Sequence, residues 1–215
     1  MEKAMKKSCV YIDGFNLYYG LRAMRGAGYL WLDLECMARS FIDPEAETAL
    51  RVKYFTARVR GNPGAGSRQK VYLKALIAHC SNLEIHYGHF LAKKRQCRQC
   101  ASVYDLYEEK KTDVNIACHV LMDAFHRRYE RIYIVSGDSD LVPAVEAAKA
   151  VNPRSRIIIA NPPKRKSEEL CRAADASFSI KEKNLRLSQL PDTVKSKKGV
   201  ELTRPAQWTK RAGAS

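Results

Sequence analysis

The sequence has no run of about 18 apolar residues, so nothing in it predicts a membrane-spanning helix or a membrane partner. No charged leader with an apolar core and a small-residue cleavage site precedes the first strand-like segment, which makes the cytoplasm the expected compartment. A phosphate loop of the G-x-x-x-x-G-K-[ST] type is missing, which argues against an NTPase. Internal repeats are missing too. Acidic residues are scarce: 23 Asp and Glu stand against 38 Lys and Arg, a formal net charge of +15. Seven cysteines without a secretory signal read as reduced thiols, and Cys9, Cys118 and Cys171 fall in apolar patterns that suggest core positions.

What is present is a set of basic clusters. Arg58, Arg60, Arg68 and Lys70 form one; Lys93, Lys94, Arg95 and Arg98 a second; Lys164, Arg165 and Lys166 a third. Lys195, Lys197, Lys198, Arg204, Lys210 and Arg211 mark the C-terminal stretch. A single cluster would serve solubility. Several, in a chain of pI near 9.6, favour a phosphate backbone through counterion release, so RNA or another nucleic acid is the expected partner.

Short apolar segments rich in Val, Ile and Tyr predict strands at 8–12, 51–57, 83–87, 131–135 and 156–160, with another near 176–180. Helical patterns at 15–24, 31–40, 67–80, 112–128 and 139–150 lie between them. Strand and helix in alternation predict a three-layer α/β/α sandwich around a mostly parallel, Rossmann-like sheet. Residues 1–190 are expected to form this domain. Residues 191–215, polar, basic and punctuated by Pro and Gly, read as a flexible or loosely docked tail in which Trp208 either anchors the segment or stacks on a base. The glycine-rich stretch 61–66 reads as a mobile loop.

Four aspartates carry the chemistry. Asp13 follows the apolar run 9–12, Asp138 and Asp140 follow the run 132–135, and Asp113 opens the helical pattern at 112. Each alone would serve as a turn former or helix cap. Together, at the carboxyl ends of neighbouring parallel strands, they would crowd one crevice and suit a hard cation, Mg²⁺ or Mn²⁺. Asn16 is within reach of the same crevice. Lys110, Lys111, Arg58, Arg68 and Lys164 are candidate phosphate contacts. Separately, His86 and His89 with Cys97 and Cys100 form two short pairs that could hold a structural Zn²⁺. The plainer reading of those four is an exposed, reduced loop.

At these residues the chain resembles a known family. Tyr11-Ile12-Asp13-Gly14-Phe15-Asn16-Leu17 resembles the opening motif of NYN domains, in the LabA-like branch of the PIN-like nucleases. Glu109-Lys110-Lys111-Thr112-Asp113-Val114-Asn115-Ile116-Ala117 is similar to their central motif, and Val135-Ser136-Gly137-Asp138-Ser139-Asp140-Leu141-Val142-Pro143 to their third. The resemblance implies a metal-dependent ribonuclease with Asp13, Asp113, Asp138 and Asp140 as metal-site acids and Asn16 as their polar partner. It implies that Ser136 helps position a phosphate or a ligand carboxylate. His119 stands where some members carry a further acid, and Asp123 is a more distant helical alternative. The competing expectation is an RNA-binding or regulatory protein that keeps the fold without turnover. A phosphatase fits less well, because Phe15 occupies the second position of the expected Asp-x-Asp pair. Self-association into a homodimer is left open.

Overall fold

A computed structural model describes residues 6–24, 28–44, 47–96 and 99–209. The first half runs β1 (Lys6–Asp13), α1 (Gly14–Arg22), α2 (Leu34–Arg39), β2 (Glu47–Thr56), α3 (Pro63–His79) and β3 (Leu83–Tyr87). A hairpin of β4 (His89–Gln96) and β5 (Val103–Lys110) then intervenes before α4 (Thr112–Phe125). The second half runs β6 (Arg131–Val135), α5 (Val142–Val151), β7 (Arg156–Asn161), α6 (Glu168–Ala173), β8 (Ala176–Ser179) and α7 (Glu182–Leu187). It closes with β9 (Thr193–Lys195) and β10 (Glu201–Thr203).

Six strands form one sheet in the order β3-β2-β1-β6-β7-β8, with every neighbouring pair parallel. The chain winds outward from β1 through β2 to β3, then crosses back to pair β6 with the other side of β1. The boundary between β1 and β6 is therefore the point where the strand order reverses and a crevice opens beyond the carboxyl ends. Asp13 ends β1, and Ser136 follows β6, so the topology alone delivers both to that crevice.

Side chains alternate between two buried faces, which is why the strands read as continuous apolar runs. Val10, Ile12, Val52 and Val135 pack against α1, α2 and α3 through Leu17, Met37 and Leu76. Cys9, Tyr11, Ile134 and Ile159 pack against α4, α5 and α6 through Val120, Val145 and Leu170. These are the three layers expected. One charged pair is sealed inside: Lys53 of β2 and Asp123 of α4 form an ion pair with almost no exposure, joined by the Tyr11 hydroxyl and by Arg128 at 3.0 Å. Among the described residues, no helix is long and apolar enough to cross a membrane.

Three expectations change. Residues 191–209 are packed rather than a flexible tail: β9 and β10 pair antiparallel, and Trp208 is buried against Trp31 and Tyr72 at centroid distances of 6.4 and 5.7 Å. Apolar anchors at Val194, Leu202 and Trp208 outweigh the polar composition around them. Residues 61–66 are not a free loop: Asn62 caps α3, and 63–66 form its first turn. The Asn62 amide oxygen accepts from the Ala65 N–H at 2.9 Å, and Pro63 sits in the first turn, where its missing N–H costs nothing. Cys118 is exposed on α4 rather than part of the core, whereas Cys9 is buried.

Candidate active site

Asp13 caps α1. Its Oδ1 accepts from the Asn16 N–H at 3.0 Å, and its Oδ2 accepts from the Ser136 hydroxyl at 2.9 Å. Ser136 is fully buried and its oxygen also accepts from the Asp138 N–H at 3.2 Å. The Asn16 amide oxygen accepts from the Gly137 N–H at 3.0 Å. These bonds tie the end of β1 to the turn after β6. The Ser136 hydroxyl is thereby engaged with the Asp13 carboxylate, a candidate ligand of the metal site, and with the backbone of the turn. Gly137 permits a second close approach: a Cβ there would stand 2.8 Å from the backbone of Arg165.

The outcome is a polar cleft of about 200 Å³ lined by Asp13, Asp113 and Asp138 together with Asn16, Phe15, Tyr19, Thr112 and Arg165. Asp113 comes from the first turn of α4, placed by a left-handed Lys111 at φ 77°. The Asp13 carboxyl is 3% exposed, and burial pushes its pKa up to about 6. The hydrogen bonds from Asn16 and Ser136 oppose that rise; the charges of Asp113 and Asp138 add to it. A cation placed among the three would relieve the conflict.

The donor set is all oxygen, which suits Mg²⁺ or Mn²⁺ and disfavours zinc. Among the described residues, however, no three His, Cys, Asp or Glu side chains stand close enough to share an ion directly. The cleft therefore fits a cation held partly through its own waters, as Mg²⁺ commonly is.

The other expected residues divide. Asp140 is exposed and does not line the cleft; its N–H donates to the Asp138 carboxylate at 3.1 Å, within the short turn 139–141. His119 and Asp123 lie elsewhere. His119 faces Phe55 and His86, with ring centroids at 5.3 and 4.2 Å, and its Nδ1 is 3.5 Å from the Lys53 ammonium. Burial holds both His86 and His119 below the usual histidine range, and their mutual repulsion lowers His86 further. The three described members of the zinc quartet do not come together. His86 packs on Phe55 at 4.9 Å, His89 is exposed on β4, Cys100 sits in an exposed turn 3.0 Å from the Ser102 hydroxyl, and Cys97 lies outside the described residues. Lys110 and Lys111 are exposed beside the site without lining it, and Arg58 lies over the Tyr87 ring at 4.9 Å.

Lys164 is exposed at φ 57°, and its neighbour Arg165 occupies the cleft instead, with its guanidinium 5.6 Å from the Tyr19 ring centroid. Arg165, Thr112, Phe15 and Tyr19 were not anticipated. For Phe15 and Tyr19 the signal was the spacing of Phe15, Tyr18, Tyr19 and Arg22 along the helix that Asp13 caps; Thr112 and Arg165 come from other elements and gave none. Phe15, Tyr18, Tyr19 and Arg22 also line a second cavity of about 300 Å³, and Arg68 opens onto it.

A family model described as NYN domain matches residues 7–182. The 6-hydroxy-3-succinoylpyridine 3-monooxygenase HspA of Pseudomonas putida (strain DSM 28022 / S16) is 27% identical over 175 residues, which cover 66% of this chain and 55% of that protein. The chain thus spans about half the length of that relative. The crystal structure of a protein of unknown function from Vibrio parahaemolyticus RIMD 2210633 has a TM-score of 0.53 and 18% identity, covering 83% of this chain and 94% of that one, a likeness of fold.

Proposed function

We propose a function from one premise, that the chain belongs to the NYN domain family, a family of PIN-like nucleases: it hydrolyses RNA phosphodiester bonds with the help of Mg²⁺ or Mn²⁺. The observation that carries this reading is the gathering of Asp13, Asp113 and Asp138 in one cleft with Arg165 at its rim. The three carboxylates would hold the cation partly through its own waters, and the cation would supply a more acidic bound water and a charge to stabilise the leaving oxygen. Asn16 and Ser136 keep Asp13 and the turn 136–138 in register. Arg165 offers a planar pair of donors for a phosphate that carboxylates alone would repel. The surrounding excess of Lys and Arg would draw a polyanion toward this acidic centre. The reading includes the LabA-like branch and a cytoplasmic location.

The test is incubation of purified protein with single-stranded RNA and Mn²⁺, beside Asp13→Asn and Asp138→Asn. Cleavage lost in both variants is expected; cleavage unchanged in both sinks the assignment. A second reading, RNA binding without turnover, is favoured by the spacing of the carboxylates, no three of which, among the described residues, stand close enough to share an ion. It expects salt-sensitive RNA binding that survives both substitutions while no cleavage occurs in any of the three proteins. The monooxygenase name belongs to a relative of which this chain covers 55%, and the proposal takes nothing from it.

A further inference from the structure

The second cavity, between α1, α3 and the segment ending at Trp208, has a volume of about 300 Å³ and shares two walls, Phe15 and Tyr19, with the acidic cleft. Its depth is aromatic: Tyr18, Tyr54 and Trp208 face it. Its mouth is basic, with Arg22, Arg60 and Arg68 and no carboxylate among the described lining residues. None of these three arginines forms an ion pair with another described residue. The wall carrying Arg60 is stiff rather than loose. The Gln69 side chain accepts from the Val59 N–H at 2.9 Å and donates to the Ala57 carbonyl at 2.8 Å, fixing the path of 57–59.

A cavity of this size fits one small ring system. Aromatic walls select a flat, π-faced group; uncompensated arginines select an anion attached to it. The shared walls put that group one residue-width from the cleft that would hold a phosphate. We infer that this cavity seats the base of the nucleotide next to the scissile phosphate, with Arg60 and Arg68 on the flanking phosphate. The inference rests on the phosphodiester reading of the acidic cleft for the identity of its ligand. It adds a stacking subsite through which the protein grips a single strand, since a paired base could not enter.

The test uses the full chain with 5′-mononucleotides as probes, titrated by calorimetry in EDTA so that no cation contributes. Wild type and Asp13→Asn are both expected to bind saturably, because Asp13 lies outside the cavity. Arg60→Ala with Arg68→Ala is expected to weaken binding at least tenfold, the loss of charge-assisted contacts. Ala65→Trp, on the cavity wall in the first turn of α3, is expected to abolish it; thermal melting checks that each variant folds. Absence of saturable binding in wild type, or unchanged binding in both the arginine and Ala65 variants, overturns the inference. Binding of benzoate or nicotinate without any mononucleotide also overturns it, by making the cavity a site for free aromatic acids. The two readings fail separately. Asp13-dependent RNA cleavage that Ala65→Trp leaves untouched, with no mononucleotide bound, removes the subsite and keeps the nuclease. Mononucleotide binding sensitive to the arginine and Ala65 variants, in a protein that cleaves nothing, does the reverse.

Discussion

Replacing Asp13 with Asn should make the protein more stable at neutral pH and leave it unchanged in acid. The carboxyl has a pKa near 6 in the fold against 3.8 as an ordinary aspartate. Ionising it there costs about 3 kcal/mol, from two pH units at 1.36 kcal/mol each. Between those two values the folded chain holds more protons than the unfolded one, so stability falls as pH rises through that window and levels off above it. Asn is neutral at every pH and still caps α1 through its amide oxygen. The variant should therefore match wild type near pH 4 and exceed it by about 2–3 kcal/mol at pH 8, or roughly 4–12 °C in Tm for a chain this size. His86 and His119, held neutral by burial, lose stability as pH falls through their lowered range. They do so in both proteins, and the difference cancels them. The assay is a melting series from pH 4 to 8 in EDTA. Added Mg²⁺ or Mn²⁺ should close the gap by stabilising wild type alone. A gap that is constant with pH, or that narrows toward pH 8, refutes the electrostatic argument.

Other perturbations have equally definite outcomes. Asp123→Asn strands the buried Lys53 ammonium and should cost about 3–5 kcal/mol in urea unfolding, whereas the pair Lys53→Met with Asp123→Leu should recover most of that loss. Trp208→Ala should lower stability by about 3–5 kcal/mol in the same assay, since the indole is 7% exposed and packs on two aromatic rings. Arg165→Ala should lower RNA cleavage at least tenfold while Tm moves by no more than about 2 °C, because its side chain caps the cleft from an exposed position; a large Tm change with normal cleavage would assign it to structure.

The sheet was legible because its strands are buried on both faces: runs such as Val10 to Ile12 and Ile132 to Val135 leave little alternative. Asp13 and Asp138 were legible for the same reason, as the first acids after those runs. The choice between Lys164 and Arg165 was not, because it depends on how closely Gly137 lets the loop after β7 approach. The resemblance drew His119 toward the metal site, and its place on the same helix as Asp113 drew Asp123. The sheet instead turns that part of α4 over β2, where Lys53 meets it. Asn62 and Pro63 announced a helix start, but the neighbouring glycines masked it. The hairpin of β4 and β5 escaped notice because Lys93, Lys94 and Arg95 on one strand and Asp105, Glu108 and Glu109 on the other give no apolar periodicity.

The docking of Trp208 on Trp31 also sets an order of events during synthesis. Trp31 lies 177 positions ahead of Trp208 (208 minus 31), and its indole N–H waits for the Pro191 carbonyl, 2.8 Å away in the finished fold. At roughly 5–20 residues per second, the ribosome needs about 9–35 s to cover that separation. For that interval the indole of Trp31, joined by the ring of Tyr72 once it is made, lacks its cover, and the nascent chain presents an aromatic surface to chaperones and to its neighbours on the polysome. Changes within 191–208 should thus show first as lost yield of folded protein in the cell.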